Sequence, residues 1–126
     1  AREIGDRRTE AINLGNIGVA LLEGSKDFEK ARSHVLEALQ IIAKIGAARD
    51  LLLEISLARC EEALGNVERD PSKVAAHKTE SIRIAREALK LSEEQEIRDN
   101  HQNTTWRESL AHARRIAMLA SGKQRE

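Results

Sequence analysis

The sequence predicts an all-α fold, and three observations support this prediction. Alanine, leucine and isoleucine account for 18, 14 and 11 of the 126 residues, whereas there is one proline, one phenylalanine, one tryptophan and no tyrosine. Alanine and leucine favour helices, and so few aromatic residues disfavour sheets. Apolar residues recur at helical spacing, and a segment pattern repeats along the chain. A chain of this length is expected to form one domain around one core.

The first two helices are predicted from apolar stripes and their end signals. Leu14, Ile17 and Leu21 follow helical spacing and predict a helix over about 7–23, closed by Gly24. A second stripe begins at Phe28 behind a capping residue, Asp27, and Gly46 ends it. Repeat 1 is therefore expected to span about 6–46.

The third and fourth helices follow in the same way. An apolar stripe that includes Leu53 and Leu64 predicts a helix ending at Gly65. Asp70-Pro71 then provides a capping side chain and a proline at the first helical position, so an elongated helix is expected over about 71–95. This pair forms repeat 2, at about 47–95.

The fifth helix is expected as a cap over about 99–120. Asp99 is one candidate start, and Thr105 with Glu108 three residues later is a competing one. The tail from Ser121 is expected to fray. The first five residues are typical of the end of a helix, so we expect the chain to be a fragment of a larger protein.

Small residues at 18, 58 and 111 mark three copies of one pattern. Repeat 1 has Ile17-Gly18 in its first helix, then Phe28, Ala31 and Ala38. These residues resemble the tetratricopeptide repeat (TPR), in its longer-period type found in regulatory and signalling proteins. The resemblance implies antiparallel helix-turn-helix repeats, about two and a half in number with five helices, stacked as a short right-handed α-solenoid.

Repeats 2 and 3 depart from the TPR pattern at several positions. Glu54 and Glu61 stand where the resemblance implies large apolar anchors, and Arg107 and Arg114 do so in the last helix. The segment 67–81 is also about ten residues longer than the turn of that family. Repeat 2 is therefore interpreted as degenerate, and the last helix as a capping helix.

The resemblance implies a concave groove lined by the first helix of each repeat. The expected partner is a protein or peptide, because these side chains combine hydrogen-bonding groups with apolar contact. Carried over to this sequence, the partner-binding positions are Ile12, Asn16, Val19, Glu23, Leu52, Ser56, Arg59, Glu62, Ser109, His112 and Arg115.

The residue types of this groove bear on the kind of peptide it binds and on the pH dependence of binding. Chaperone-tail capture is disfavoured, because Gly15, Val19, Ser56 and Ser109 stand where the carboxylate clamp of that family needs lysines and asparagines. His112 would make binding depend on pH if it titrated within the groove.

No catalytic, metal or cofactor site is predicted. No two of the four histidines are three or four residues apart, and the glycines are not followed by the Gly-Lys-Ser or Gly-Lys-Thr of a phosphate loop. Cys60 lies on an apolar stripe and is interpreted as an inert buried residue. The adjacent pair Glu61-Glu62 is interpreted as part of a solvated face. We therefore predict that the protein is not an enzyme.

Charge and cysteine content restrict the partners and the compartment. Lys plus Arg and Asp plus Glu number 21 each, so the net charge is zero and nucleic acid is disfavoured as a partner. No apolar run is long enough to span a bilayer, and no membrane partner is expected. A single cysteine excludes an internal disulfide and favours the cytoplasm.

The predicted function is a non-catalytic protein-interaction module, acting as a regulatory or scaffold segment. Two alternatives stay open. One is a structural spacer or a homo-oligomerisation domain that associates through exposed repeat ends. The other is an RNA-binding helical repeat, in which the last helix and tail contribute a local basic patch.

Overall fold

Five α-helices, with no β-strand, make up the part of the chain that the computed structural model describes, residues 4–46, 50–99 and 104–124. The expectation of an all-α protein with five helices is thus confirmed. The helices are α1 (Ile4–Ala20), α2 (Phe28–Lys44), α3 (Leu51–Val67), α4 (Pro71–Asp99) and α5 (Thr104–Gln124).

Local end signals act as the sequence predicts at three helix ends. The Asp27 side chain accepts a hydrogen bond from the backbone N–H of Lys30 at 3.2 Å, which caps α2. Gly46 follows that helix with a φ of 70°, a left-handed conformation that glycine adopts without strain. Asp70 accepts from the backbone N–H of Ser72 at 3.0 Å, and Pro71 is the first residue of α4.

The end of the first helix differs from the prediction. Instead of closing at Gly24, the chain continues from α1 into a π-helical turn, Leu21–Ser25. Lys26 ends this turn with a φ of 62°, and its backbone N–H donates to the carbonyl of Leu21 at 2.7 Å. A π turn inserts one residue into the helical register, which a pattern of apolar spacing does not reveal.

The boundaries of α4 and α5 also differ from the prediction. Helix α4 has 29 residues and ends at Asp99, so Asp99 does not open the last helix and α4 extends beyond 95. Helix α5 begins at Thr104, which places Thr105 inside the helix rather than at its cap, and it continues through Ser121 to Gln124. The expected fraying from Ser121 stays a prediction.

Each helix packs on the next one in the chain, and α3 also contacts α1 and α5. The buried apolar residues form three clusters, and α3 contributes to all of them. The largest joins α3, α4 and α5 through Leu51, Ile55, Ala58, Ile84, Ala85, Ala88, Leu110, Ala113 and Ile116. Helix α3 is therefore the central element that positions α1 and α5.

The three small residues of the repeat pattern have different surroundings. A Cβ added at Gly18 would lie 2.6 Å from Cγ2 of Val35, so α1 and α2 approach closely there. Ala58 is fully buried in the α3–α4–α5 cluster. Ala111 is exposed. The three positions therefore do not share one environment in the described part of the chain.

Candidate functional site

The candidate site begins with α3, which presents two oppositely charged side chains one turn apart. Arg59 and Glu62 are half-buried and lie at i and i+3, so they share one face of the helix. The residues between them, Cys60 and Glu61, are buried on the other side. Because Cys60 and Glu61 are buried, Arg59 and Glu62 are held on the opposite side of α3, toward the surface.

Glu23 comes to this face from the π turn that extends α1. Its Oε2 accepts a hydrogen bond from Nη2 of Arg59 at 2.9 Å, although the two residues are 36 positions apart in sequence. The Arg59 side chain is 18% exposed and that of Glu23 is 55% exposed. This ion pair therefore links the first helix to the third at the rim of a concave surface.

Helix α5 supplies the second cross-helix ion pair. Arg115 donates through Nη1 to Oε2 of Glu62 at 2.5 Å and through Nη2 to Oε1 at 2.9 Å. Such a two-point pair fixes the relative position of the two side chains better than a single contact does. The carboxylate also raises the pKa of Arg115 above its ordinary value.

These side chains line one open depression of about 460 Å³, which we call the central groove. It contains five of the eleven sequence-predicted groove residues: Glu23, Arg59, Glu62, His112 and Arg115. Four further residues complete its lining, namely Leu22, Lys26, Ala63 and Asn66. The place of Asn66 in the groove could have been predicted from helical periodicity, because Asn66 lies four residues after Glu62. The place of Lys26 could not, because it depends on the unpredicted π turn.

His112 is the titratable group between the two ion pairs. Its partial burial lowers the pKa of the imidazole below its ordinary value of 6.5, and the charges of Arg59 and Arg115 lower it further. Glu23 and Glu62 act in the opposite direction but do not offset these effects. The neutral imidazole is thus favoured near pH 7, as both a donor and an acceptor of hydrogen bonds.

The predicted groove positions outside the central groove are divided between exposed and buried sites. Ile12 is 47% exposed and lies about two turns before the end of α1, and Asn16 is exposed and lies about one turn before it. Val19 and Ser109 are half-buried, and Leu52 is half-buried against the α3–α4–α5 cluster. These residues can extend the groove along the first helices.

Ser56 requires a correction. Its side chain is buried, at 8% exposed, and its hydroxyl donates to the carbonyl of Leu52 at 3.0 Å, within the same helix. A hydroxyl that is satisfied by its own helix in this way does not offer a hydrogen bond to a ligand. The expected contribution of Ser56 to the groove surface is therefore wrong.

A second charged cluster lies inside the helix array. Glu61 is 3% exposed, which overturns the interpretation of Glu61-Glu62 as a solvated face. Its two carboxylate oxygens accept from Nε of Arg32 at 2.6 Å and from Nδ1 of His77 at 2.7 Å. The partners lie on α2 and α4, so this cluster connects three helices and explains how a carboxylate is accommodated in the interior of the helix array.

Cys60 lies beside Glu61 and is fully buried. Burial raises the pKa of its thiol to about 11, despite the nearby guanidinium groups of Arg59 and Arg32. The thiolate is the reactive form of cysteine, so this environment suppresses nucleophilic chemistry. The structure thus supplies the physical reason for the inert role predicted from the sequence.

Neither a metal centre nor a membrane span is present among the described residues. Among the side chains that the structure describes, no three of His, Cys, Asp or Glu converge as a metal site would require. Across the ranges 4–46, 50–99 and 104–124, none of the helices combines the length and the apolar character needed to cross a bilayer.

Comparison with known proteins gives no match: no protein-family model, no curated protein and no solved structure matches this chain. The resemblance to the TPR therefore rests on the residues of this chain.

Proposed function

We propose that the chain is a TPR-like stack of helix pairs that binds a peptide or a partner helix along the face shared by α1, α3 and α5. The packing order supports this arrangement. Each helix contacts its successor, and α3 contacts both of the other first helices, α1 and α5, as expected for stacked pairs. The close approach at Gly18 and the burial of Ala58 fit the first two repeats.

The central groove is the main observation that supports the proposed binding function. Residues 36 and 53 positions apart in sequence are joined there by ion pairs that bridge three helices. Binding surfaces are commonly concave, with a few fixed polar groups that set the orientation of the ligand. A groove held in shape by cross-helix ion pairs has this character.

The chemistry of the groove suits an extended peptide or a helix with polar side chains. Lys26, Asn66 and His112 add hydrogen-bonding groups that can meet backbone carbonyls or side-chain oxygens of a partner. Ile12 and Asn16 continue the same face toward the start of α1, with an apolar and an amide contact. We propose a non-catalytic role as a regulatory or scaffold segment.

One observation favours a second candidate, a structural spacer. The guanidinium groups of Arg59 and Arg115 already bind carboxylates of this chain, so the ion pairs can serve to hold neighbouring helices at a fixed separation. In that role the groove needs no partner. The two candidates differ in one expectation: only a binding module should lose affinity for a peptide when the groove is blocked.

A cytoplasmic location stays a prediction from the single cysteine.

Helix α1 offers a matched pair of variants to separate these candidates. Ile12 and Asn16 lie on the groove face, whereas Asn13 and Ile17 lie about 100° further round the helix and line a separate depression, and both isoleucines are 47% exposed. The variants Ile12→Glu/Asn16→Glu and Asn13→Glu/Ile17→Glu therefore make the same chemical change at equal exposure. Circular dichroism checks that both stay as helical as the wild type.

The test is selection from a displayed random-peptide library, followed by affinity measurement on synthetic versions of the enriched peptides. A binding module predicts that the groove-face variant weakens binding by about tenfold or more, since charge is introduced into the contact. The Asn13→Glu/Ile17→Glu variant, whose two sites lie outside the central groove, should bind as the wild type does. No enriched peptide, or equal binding by all three proteins, would contradict peptide recognition and favour the spacer.

A further inference from the structure

Lys26 adopts a backbone conformation that is unfavourable for its residue type. Its φ is 62° and its ψ is 31°, in the left-handed region. In the part of the chain that the structure describes, it is the one residue other than glycine with a positive φ. A Cβ in this region comes close to the following carbonyl oxygen, so glycine is the residue usually found there. Lysine at position 26 therefore makes this turn less stable than glycine would.

The end of α2 provides an internal comparison. Gly46 follows that helix with a φ of 70°, close to the value at Lys26, and glycine suits this conformation. Both residues close a helical segment through the backbone, since Lys26 donates to the carbonyl of Leu21 and Gly46 donates to that of Ala43. The backbone requires the same conformation at both ends. Unfavourable conformations are commonly retained at functional sites, which directs attention to the side chain of Lys26.

The side chain of Lys26 lines the central groove. The π turn Leu21–Ser25 precedes it directly and adds one residue to the helical register, so the turn determines where Lys26 lies. Within the described part of the chain, the ammonium group of Lys26 has no ion pair or hydrogen bond. An unusual turn and an unfavourable backbone conformation thus place a free cation at the groove.

The other two cations of the groove are already neutralised. Arg59 donates to Glu23 at 2.9 Å, and Arg115 binds both carboxylate oxygens of Glu62. Three cations and two carboxylates line the groove, and His112 is neutral near pH 7, so the lining carries a net charge of about +1. Lys26 is the source of this unbalanced charge.

Two neutral groups of the groove add hydrogen-bond donors. Asn66 is exposed on α3, and its amide has no partner among the residues that the structure describes. The neutral imidazole of His112 carries one N–H. Because both carboxylates of the groove are bound to arginines, donors are in surplus there. A ligand with acceptor oxygens and one negative charge complements such a surface.

We propose that Lys26 recognises an aspartate or glutamate side chain of the peptide that binds in the central groove. This inference rests on the proposed function and names the chemical class of the peptide. One carboxylate supplies the single negative charge that the lining leaves unbalanced. A phosphate group carries nearly two charges and is usually bound by free arginines, whereas Arg59 and Arg115 are paired here. A side-chain carboxylate is expected, because the residues of a terminal-carboxylate clamp are lacking in this sequence.

Blocked peptides test this recognition. Peptides enriched from the displayed library are synthesised with an acetylated and an amidated end, so that every carboxylate is a side chain. Replacing the recognised acidic residue by its amide should weaken binding about fivefold or more. Lys26→Gln should weaken binding of the acidic peptide by a similar factor, and it should not weaken the amide peptide further, since that contact is already lost. Lys26→Arg keeps the charge and should keep the affinity.

A matched control removes the same charge outside the groove. Lys30 is exposed on α2 and does not line the central groove, so Lys30→Gln should bind the acidic peptide as the wild type does. The affinity of the wild type should also fall at about 0.5 M salt, because an exposed ion pair is screened. Equal weakening by Lys30→Gln and Lys26→Gln would overturn the proposal, since general attraction would then explain the effect.

Lys26→Gly separates binding from folding. This variant should lose affinity as Lys26→Gln does, while its melting temperature rises by about 2–5 °C, because glycine adopts the left-handed conformation without a Cβ contact. A lower melting temperature would show that the lysine side chain stabilises the turn, which would overturn the argument for a binding role.

The outcomes also distinguish this inference from the proposed function. Peptides that bind the wild type and are lost with Ile12→Glu/Asn16→Glu, but that bind Lys26→Gln unchanged, would overturn recognition by Lys26 and leave peptide binding in the groove supported. The lack of any enriched peptide would contradict both.

Discussion

Nδ1 of His77 lies 2.7 Å from Oε1 of Glu61, while the other oxygen of the same carboxylate accepts from Nε of Arg32 at 2.6 Å. The Glu61 side chain is only 4% exposed. A buried carboxylate is costly unless its lone pairs are satisfied, and here partners from two other helices satisfy it. The three residues therefore hold α2, α3 and α4 in one relative arrangement.

Removing Glu61 should destabilise the protein strongly. Glu61→Ala leaves the guanidinium of Arg32 and the imidazole of His77 without their acceptor and opens a cavity between three helices. The free energy of unfolding is expected to fall by about 1–3 kcal/mol, from the cavity and the lost hydrogen bonds, because Arg32 and His77 keep some access to water. Urea unfolding followed by circular dichroism measures the change.

The matched control is Glu37→Ala on α2. Glu37 is exposed, and its removal should change the unfolding free energy by less than about 0.5 kcal/mol. Glu61→Gln keeps the shape of the side chain and should lie between the two. Equal stability of Glu61→Ala and Glu37→Ala would mean that the cluster does not hold the helices together.

The burial of Glu61 could not be predicted from the sequence. Its partners are 29 and 16 residues away, so a pattern of adjacent carboxylates gave no sign of them. The helices themselves were predictable, because apolar stripes and end signals such as Asp27, Gly46 and Pro71 are local. Pairing between helices depends on their packing, which local spacing does not determine.

The same limit applies to the candidate site. The five predicted residues in the central groove lie on three helical segments, and the residues that share one side of a helix follow from periodicity. How those segments meet does not follow from it: the ion pair of Glu23 with Arg59 depends on the π turn, and the pairing of Glu62 with Arg115 spans 53 residues.

Two glycines of the first helical segment should respond to alanine in opposite directions. A Cβ at Gly18 would lie 2.6 Å from Cγ2 of Val35 and 3.1 Å from the backbone carbonyl of Ala31, whereas nothing lies within 4 Å of one at Gly24. Gly18→Ala should destabilise the protein by about 1–3 kcal/mol through overpacking. Gly24→Ala should stabilise it by about 0.5–1 kcal/mol, because alanine loses less backbone entropy.

Thermal unfolding of both variants beside the wild type measures these signs. The comparison is controlled internally, since the same substitution is made in one continuous helical segment. A stabilising Gly18→Ala would show that α1 and α2 can separate at this point without cost, and that the close approach is not required for packing.

The thiol of Cys60 should react slowly in the folded protein. Burial raises its pKa to about 11 from an ordinary 9.0, so at about pH 8 the thiolate is some hundredfold rarer than in a free cysteine. The unfolded chain loses this proton at lower pH than the folded one. The unfolding free energy should therefore decrease between about pH 9 and 11.

Alkylation by iodoacetamide, followed by mass spectrometry, tests the accessibility of this thiol. The folded protein should react at least about a hundredfold more slowly than the same protein in concentrated urea. Rapid modification without denaturant would mean that α3 opens readily around Cys60, contrary to its complete burial.

The pKa of His112 should lie below its ordinary value of 6.5, chiefly because the imidazole is partly buried. Burial lowers its pKa first, followed by the charges of Arg59 and Arg115. The unfolded chain therefore binds more protons than the folded one below about pH 6.5, and stability should fall as the pH drops through that range. Between about pH 7 and 8 the imidazole is neutral, so peptide binding should not change there through this group.

Two substitutions in the second ion pair should move the pKa of His112 in opposite directions. Arg115→Gln removes a neighbouring cation and leaves the Glu62 carboxylate unpaired, so the pKa should rise. Glu62→Gln removes an anion and leaves the guanidinium unpaired, so the pKa should fall. Proton NMR titration of the imidazole measures both, with the distant Glu37→Gln as control. Shifts of the same sign in the two variants would mean that the groove charges do not govern His112, and that its burial alone determines the pKa.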